Sequence, residues 1–342
     1  MTTTTTSAPE IQGAGPEKQG LSQGQIVRKR FIGNTAAVAS LVIFVLILVL
    51  AFSAGGFMGI PGWWKYTHNE VNDLINGGRP TLQLFPFNFG EHPFGQDRLG
   101  RDTFAQTMRG VQISVLVMFI IGIVGGAFGV VIGASAGYFR GWVDTVLMRL
   151  TDVVIVIPLI ILAAVLGQMA SRVVASNLQP LALGLMVGLV VWTGLARLVR
   201  AEFLSLRERE FVDAARIAGA SSTRIIFRHI LPNAVGVIIV FVTLSMSSAI
   251  LLETSLSYVG MGVKAPDVSL GLLISQNQEA FSTRPWLFWW PGMFIVAICL
   301  CINFIGDGLR DAFDPRQKKF SAKRARDVVA RRPGPAGPAK EL

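Results

Sequence analysis

The chain has 342 residues, of which 51% are hydrophobic and only 15% charged, with a net charge of +10. Its mean hydropathy of +0.53 excludes an ordinary water-soluble domain, in which about 25% of residues are charged. The two cysteines, Cys299 and Cys301, share one apolar run, which excludes a disulfide framework and reads as packing of small apolar side chains.

In chain order, residues 1–27 are a Thr run followed by Gln, Gly and Pro. Such a segment cannot bury a core and is expected to be disordered. Six spans follow, at approximately 32–52, 111–136, 146–168, 180–199, 230–252 and 287–306, each near the length of about 20 residues needed to cross hydrocarbon. The fold class expected is therefore an all-α polytopic membrane protein. The first apolar run lies 30 residues in and exceeds a signal-peptide core of about 7–15 residues, so it reads as a retained anchor. Pro158 is expected to kink the third span. From about residue 317 the chain turns basic and then Pro/Gly-rich, as in a solvated tail.

Six spans place both termini on one side. Of the 31 Lys and Arg residues, 23 fall on that side and 8 on the other. The positive-inside rule makes the termini and the loop at 200–228 cytoplasmic, and segment 53–110 external. The positive charge thus reflects topology and is scattered over several loops, which argues against a nucleic-acid partner. Membrane lipid is the surrounding medium.

In the second span, Gly122 and Gly126 form a small-xxx-small pair, and Gly125, Gly129, Gly133 and Gly137 recur at i+4. A smooth face of this kind lets another helix approach closely in lipid. Packing within the subunit is the first reading, and a substrate-lining or subunit-contact face the second. Polar residues within spans are few: Asp152, Glu253 and Asp307 lie near span ends. They form no chain that could relay protons. The three histidines, His68, His92 and His229, all fall outside the spans, which argues against an intramembrane enzyme. Glu253 ends an apolar run where Tyr258, Gly260 and Gly262 suggest a re-entrant turn. This segment is expected to form an outer gate that meets a partner protein. A carboxylate there would pair with a cation across the gate, or else simply cap the loop at headgroup level.

Between the fourth and fifth spans runs a polar stretch, DAARIAGASSTRIIFRHILPN, at 213–233. Residues 208–218 are expected to form a short helix with Phe211, Ala214, Ala215 and Ala218 at helical spacing. Gly219 would cap its C-terminus, and Ser221 or Ser222 would N-cap the helix that follows. An alanine-rich helix is too weakly apolar to anchor in headgroups but fits a groove on another protein.

Asp213-Ala214-Ala215, Gly219 and Leu231-Pro232 resemble the Glu-Ala-Ala loop of ABC importer permeases, with matching spacing, Asp213 in place of Glu and His229 in place of Ile. His229 to Asn233 is similar to the dipeptide/oligopeptide/nickel branch. So are Gly95 to Asp102 (with Gln96 for Thr), the set Asp144, Arg149, Asp152 and Pro158, the run Glu253 to Tyr258 with Gly260 and Gly262, and Gly306 to Asp311 with Asp314 to Arg316. Leu270-Gly271 stands where Trp-Gly is usual. The resemblance covers roughly residues 25–320.

It implies a type I ABC importer permease fold of the C-type subunit in a bacterial inner membrane. Residues 28–52 would be the first transmembrane helix, 111–306 a permease core with five more, and 307–342 a basic cytoplasmic tail. The helix at 208–220, with Phe211, Asp213, Ala214, Ala215, Arg216 and Gly219, would be a coupling helix. No Gly-x4-Gly-Lys-Ser/Thr loop is present, so this chain cannot cradle ATP. ATP and Mg belong to two separate ATP-binding subunits. A B-type permease and an extracytoplasmic peptide-binding protein would complete the importer, for di- or oligopeptides or, alternatively, nickel or a metal chelate.

Overall fold

A computed structural model describes residues 22–56, 59–83 and 85–314. The basic tail from 315 onward and residues 1–21 lie outside the described residues. Among the described residues, four helices are long and apolar enough to cross a membrane: Thr35–Gly55, Thr103–Phe139, Ser222–Tyr258 and Trp286–Phe313. Two bent helix pairs bring the number to six if each pair counts as one span.

The chain opens with α1 (Gln23–Ile32) and α2 (Thr35–Gly55). The expectation of disorder through residue 27 is corrected here. Ser22 and Gln25 form a reciprocal capping box, which satisfies two backbone donors and starts a helix inside a polar segment. α3 (Thr103–Phe139) is 37 residues long, about 55 Å at 1.5 Å per residue, and is the mast of the bundle. It starts eight residues before the span expected at 111. Asp102 N-caps it, and its polar first turns are satisfied by tertiary partners.

The third span is not kinked but broken. α4 (Gly141–Val156) and α5 (Leu159–Val173) meet at 87°. Pro158 offers no N–H and drives Ile157 to extended angles, φ −77° and ψ 125°, so the first helix must end before it. The fourth span is α6 (Gln179–Val191) and α7 (Thr193–Arg207), bent by 45°. There the Trp192 indole N–H donates to the Leu189 carbonyl at 2.9 Å, an insertion of the kind that kinks helices. α8 (Glu210–Ile217) and the short α9 (Ser222–Arg224) follow. A π-helical turn, Ile225–Ile230, leads into α10 (Leu231–Tyr258). Pro232 in the first turn of α10 cannot donate to the preceding turn, and the widened turn absorbs the missing bond. α11 (Leu270–Asn277) and α12 (Trp286–Phe313) complete the described residues.

The i+4 glycines of α3 lie under α6 and α7. A β carbon at Gly129 would sit 2.8 Å from Leu195 Cβ, at Gly133 2.4 Å from the Ala196 carbonyl oxygen, and at Gly137 2.6 Å from Phe203 Cβ. Gly125 faces the Gly188 carbonyl. Gly122 and Gly126 turn a second face toward Met246 and Val242 of α10. In lipid this proximity supplies the dispersion contact that holds helices together. Two Arg–Asp pairs tie α4 to α7: Asp144 accepts from Arg200 at 2.5 and 2.7 Å, and Asp152 from Arg197 at 2.7 Å.

Segments 59–83 and 85–102 fold into a cap over one end of the bundle. Trp64, Phe89 and Phe94 pack edge-on around Phe104 of α3, and Phe94 stacks on Trp290 of α12 at 3.8 Å. Asp102 is buried and accepts from His92 Nδ1 (2.7 Å), Trp64 Nε1 (2.8 Å) and Ala105 N (2.8 Å). Burial pushes its carboxyl above the usual range, and these three donors oppose that shift.

Replacing Gly133 with Val drives a side chain into the Ala196 carbonyl, and overpacking of this kind costs about 1–3 kcal/mol. The thermal unfolding midpoint in detergent is expected to fall clearly. Gly292→Ala, where nothing lies within 4 Å of the added carbon, is expected to leave it unchanged.

Candidate functional site

The bundle carries a polar, irregular segment at each end. At the end opposite the cap, α7 stops at Arg207, whose guanidinium donates to the Tyr138 carbonyl oxygen and lies over the Tyr138 ring. Arg140 pairs with Glu208 at 2.6 Å. α8 then runs across the base, slightly shorter than the expected 208–218. Gly219 follows with φ +78°, the left-handed conformation that favours glycine after a helix. Ser221 Oγ accepts from Arg224 N at 3.4 Å and caps the next helix.

α8 is seated by one fully buried residue. Val212 enters a cluster with Tyr138, Val199, Phe203, Ile225 and Ile230. Ala215 packs partly against the same cluster, so it belongs to the inner side of the helix, not to its free face. The free face carries Phe211 (40% exposed), Ala214, Ile217 (88% exposed) and Ala218. Asp213 and Arg216 pair with each other at 2.8 Å on the surface. A bare isoleucine beside a phenylalanine and two alanines is a shallow apolar face with small residues at its centre.

At the cap end, α10 continues five residues past Glu253 to Tyr258. Glu253 therefore does not end the span: it is 0% exposed, and no Lys or Arg pairs with it among the described residues. Ser257 Oγ donates to Glu253 Oε1 at 2.7 Å and accepts from Val263 N at 3.0 Å. Ser114 of α3 accepts from Leu270 N, and Ser269 accepts from Leu272 N. Each of these three hydroxyls holds a backbone N–H of the 259–272 segment, and the carboxyl holds the Ser257 hydroxyl.

Other side chains grip the same segment. Gln179 of α6 donates to the Gly262 carbonyl at 2.8 Å and accepts from Lys264 N at 3.0 Å. Arg109 of α3 holds Asp267 in a two-pronged pair, both bonds 2.8 Å. Gly260 takes the left-handed turn at φ +79°. A β carbon at Gly262 would lie 2.3 Å from Ser257 Oγ, and one at Gly271 would lie 2.3 Å from the Thr254 carbonyl oxygen. Leu270, where the resemblance leads to Trp, is fully buried against Gly110. Tyr258 reaches Gln278 at 2.5 Å from a partly exposed position. Sequence reasoning found Glu253, Tyr258, Gly260 and Gly262 but missed Ser114, Gln179 and Arg109. Isolated polar residues at the ends of apolar runs were the available signal.

Residues 129–319 match the family described as the binding-protein-dependent transport system inner membrane component. Residues 22–76 match the N-terminal TM domain of oligopeptide transport permease C. The oligopeptide transport system permease protein OppC of Mycobacterium bovis is 37% identical over 299 residues, which cover 87% of this chain and 97% of that protein. The protein of the same name from Haemophilus influenzae is 34% identical, with 88% and 91% covered. A putative peptide permease protein of Brucella ovis is 36% identical, with 86% and 92% covered. Among solved structures, an inward-facing form of the MetNI methionine ABC transporter aligns with a TM-score of 0.49 and 21% identity, over 60% of this chain and 95% of that one.

Replacing Glu253 with Leu removes the acceptor for the Ser257 hydroxyl, and a buried donor left unsatisfied costs about 1–3 kcal/mol. A cysteine placed at buried Val268, with Cys299 and Cys301 changed to Ser, reports on this. Its reaction with a thiol reagent is expected to quicken at least tenfold in Glu253→Leu and much less in Glu253→Gln. Equal rates in all three backgrounds would show that the carboxyl does not hold the segment.

Proposed function

The chain belongs to the binding-protein-dependent transport inner-membrane permeases, and from that membership we infer that it is a pore-forming permease subunit of an ATP-driven importer of di- or oligopeptides. It is a multi-pass membrane protein that works with other permease and ATPase subunits. It is a transporter permease subunit and not an enzyme. The peptide substrate follows from the relatives matched over nearly their whole length, which are named for oligopeptide or peptide transport.

The observation that carries the mechanism is α8. It is a short helix between two spans, seated by Val212, with Phe211, Ala214, Ile217 and Ala218 left uncovered. We assign this face to a groove on one of two ATP-binding subunits or domains, which hydrolyse ATP for the complex, with ATP and Mg bound there. Small residues at 214 and 218 let the groove wall approach the helix, and Ile217 enters it. Gly219 lets the chain leave at a sharp angle without a side chain in the way. The termini and α8 are on the cytoplasmic side, and the 59–102 cap faces outward. There it meets the peptide-binding protein, and a B-type permease completes the pore. ATP-driven closure of the two ATPase subunits then rocks the spans between inward and outward openings as rigid bodies.

Ile217→Asp puts an unpaired charge into the docking contact, and truncating or burying charge at a contact centre costs about 2–5 kcal/mol. Recovery of the ATP-binding subunit with the tagged permease is expected to fall at least tenfold, while membrane insertion is unchanged. Undiminished recovery and uptake would remove α8 from the coupling role. Orientation is checked separately: a cysteine at Thr81 reacts with a membrane-impermeant reagent on intact cells, and one at Ser222 does not. The opposite labelling would invert every sidedness stated above.

A further inference from the structure

The 87° break at Pro158 leaves α5 packed along α6 and only lightly against α10. Between α5 and α10 lies a groove of about 530 Å³. On α5 it runs from Ile160 to Arg172, about 18 Å at 1.5 Å per residue. That is close to the depth of one leaflet, half of a hydrocarbon core about 30 Å thick. Its walls are almost wholly apolar, with Ile161, Val165 and Met169 facing Leu256 and Met261.

The cap end of the groove is different. Arg172 lines it, and no carboxylate pairs with Arg172 among the described residues. Lys264 stands one turn away. Its ammonium donates to two neutral oxygens, Gln168 Oε1 at 2.9 Å and Ser171 Oγ at 3.2 Å, and Gln168 is itself part of the groove wall. An ammonium has three donors, so one remains for a ligand. The rim therefore carries two positive charges that no acid among the described residues neutralises.

We propose that this groove is a binding site for an anionic phospholipid of the leaflet on the cap side, its tail between α5 and α10 and its phosphate at Arg172 and Lys264. A peptide fits the walls poorly. Its amides would find no partners along some 18 Å of carbon, about twelve residues at the helical rise, and unsatisfied amides are costly in an apolar site. An acyl chain has no such groups. A phosphate beside Arg and Lys gains charge-assisted hydrogen bonds. The bound tail touches Leu256 and Met261, which flank the turn at Gly260, so the lipid bears directly on the segment that Glu253 organises.

The test uses the assembled importer in nanodiscs containing phosphatidylglycerol or phosphatidylcholine with a photoreactive group in one acyl chain. Adducts are mapped by mass spectrometry of the 159–173 peptide. The intact complex is expected to be labelled by phosphatidylglycerol at least fivefold more than by phosphatidylcholine. In Arg172→Gln with Lys264→Gln that ratio is expected to fall to near one. Ala164→Trp, which fills the groove, is expected to reduce labelling by either lipid at least tenfold. Co-purification of the other subunits verifies that each variant assembles, and the comparison of the two lipids on the unaltered complex needs no variant. Equal labelling by the two lipids would overturn the proposal. So would loss of labelling on adding transported peptide, which would make the groove part of the substrate path. Cross-links from 160–172 to the partner permease in place of lipid would assign the groove to the subunit interface instead.

Discussion

The distance between α3 and α7 sets the rest of the architecture. Lipid provides no hydrophobic force between helices, so a bundle in it is held by how closely backbones approach. Glycine at 129, 133 and 137 brings the backbone and Cβ atoms of α7 to within 2.4–2.8 Å of where β carbons would otherwise stand. α3 can then serve several neighbours at once, with α6 and α7 on one glycine face and α10 on another. Asp144 and Asp152 meet Arg200 and Arg197 only because α7 is pinned there. These pairs lie partly exposed and add little binding energy of their own; they fix the position of α4.

α10 links the two irregular ends. Its first turns border the cluster that receives Val212, and its last turns carry Glu253 and Ser257. A displacement at α8 is therefore transmitted to the 259–272 segment along one continuous helix and its π-helical turn. The two ends are built differently. The base uses one apolar anchor and leaves an apolar face open. The cap end uses a buried carboxyl, three hydroxyls, Gln179 and Arg109 to fix an irregular, turn-rich backbone. Backbone amides at such depth require partners, and side chains from α3, α6 and α10 provide them.

Much of this was legible in the sequence. The apolar runs located the spans, Gly219 and Ser221 marked the ends of two helices, and the small residues at 214, 215, 218 and 219 marked α8, of which 214 and 218 lie on the uncovered face and Ala215 packs inward. Other features were not, for reasons of tertiary geometry. Pro158 announces an interruption, but the angle of 87° depends on α4 being tied to α7 and α5 to α6. The first two turns of α3 contain Gln106, Arg109 and Gln112, which read as loop until Asp97, Asp267 and the Ala51 carbonyl are seen to satisfy them. Glu253 looked like the end of a span because a carboxylate inside one is costly. Its hydroxyl partner, Ser257, lies one helical turn further on, past the point where the apolar run ends.

The seating of α8 has a mechanical consequence. A rod fixed at a single buried point, Val212, behaves as a ball joint. Arg140 and Arg207 tether the approach to it, and Ala215 and Ala220 rest against the same cluster, so Val212 is the one deep pivot. Such a joint passes on a push or a pull and lets a twist slip. A moving partner that both tilts and shifts would thus deliver only its shift to the bundle, and the spans would be spared the torque.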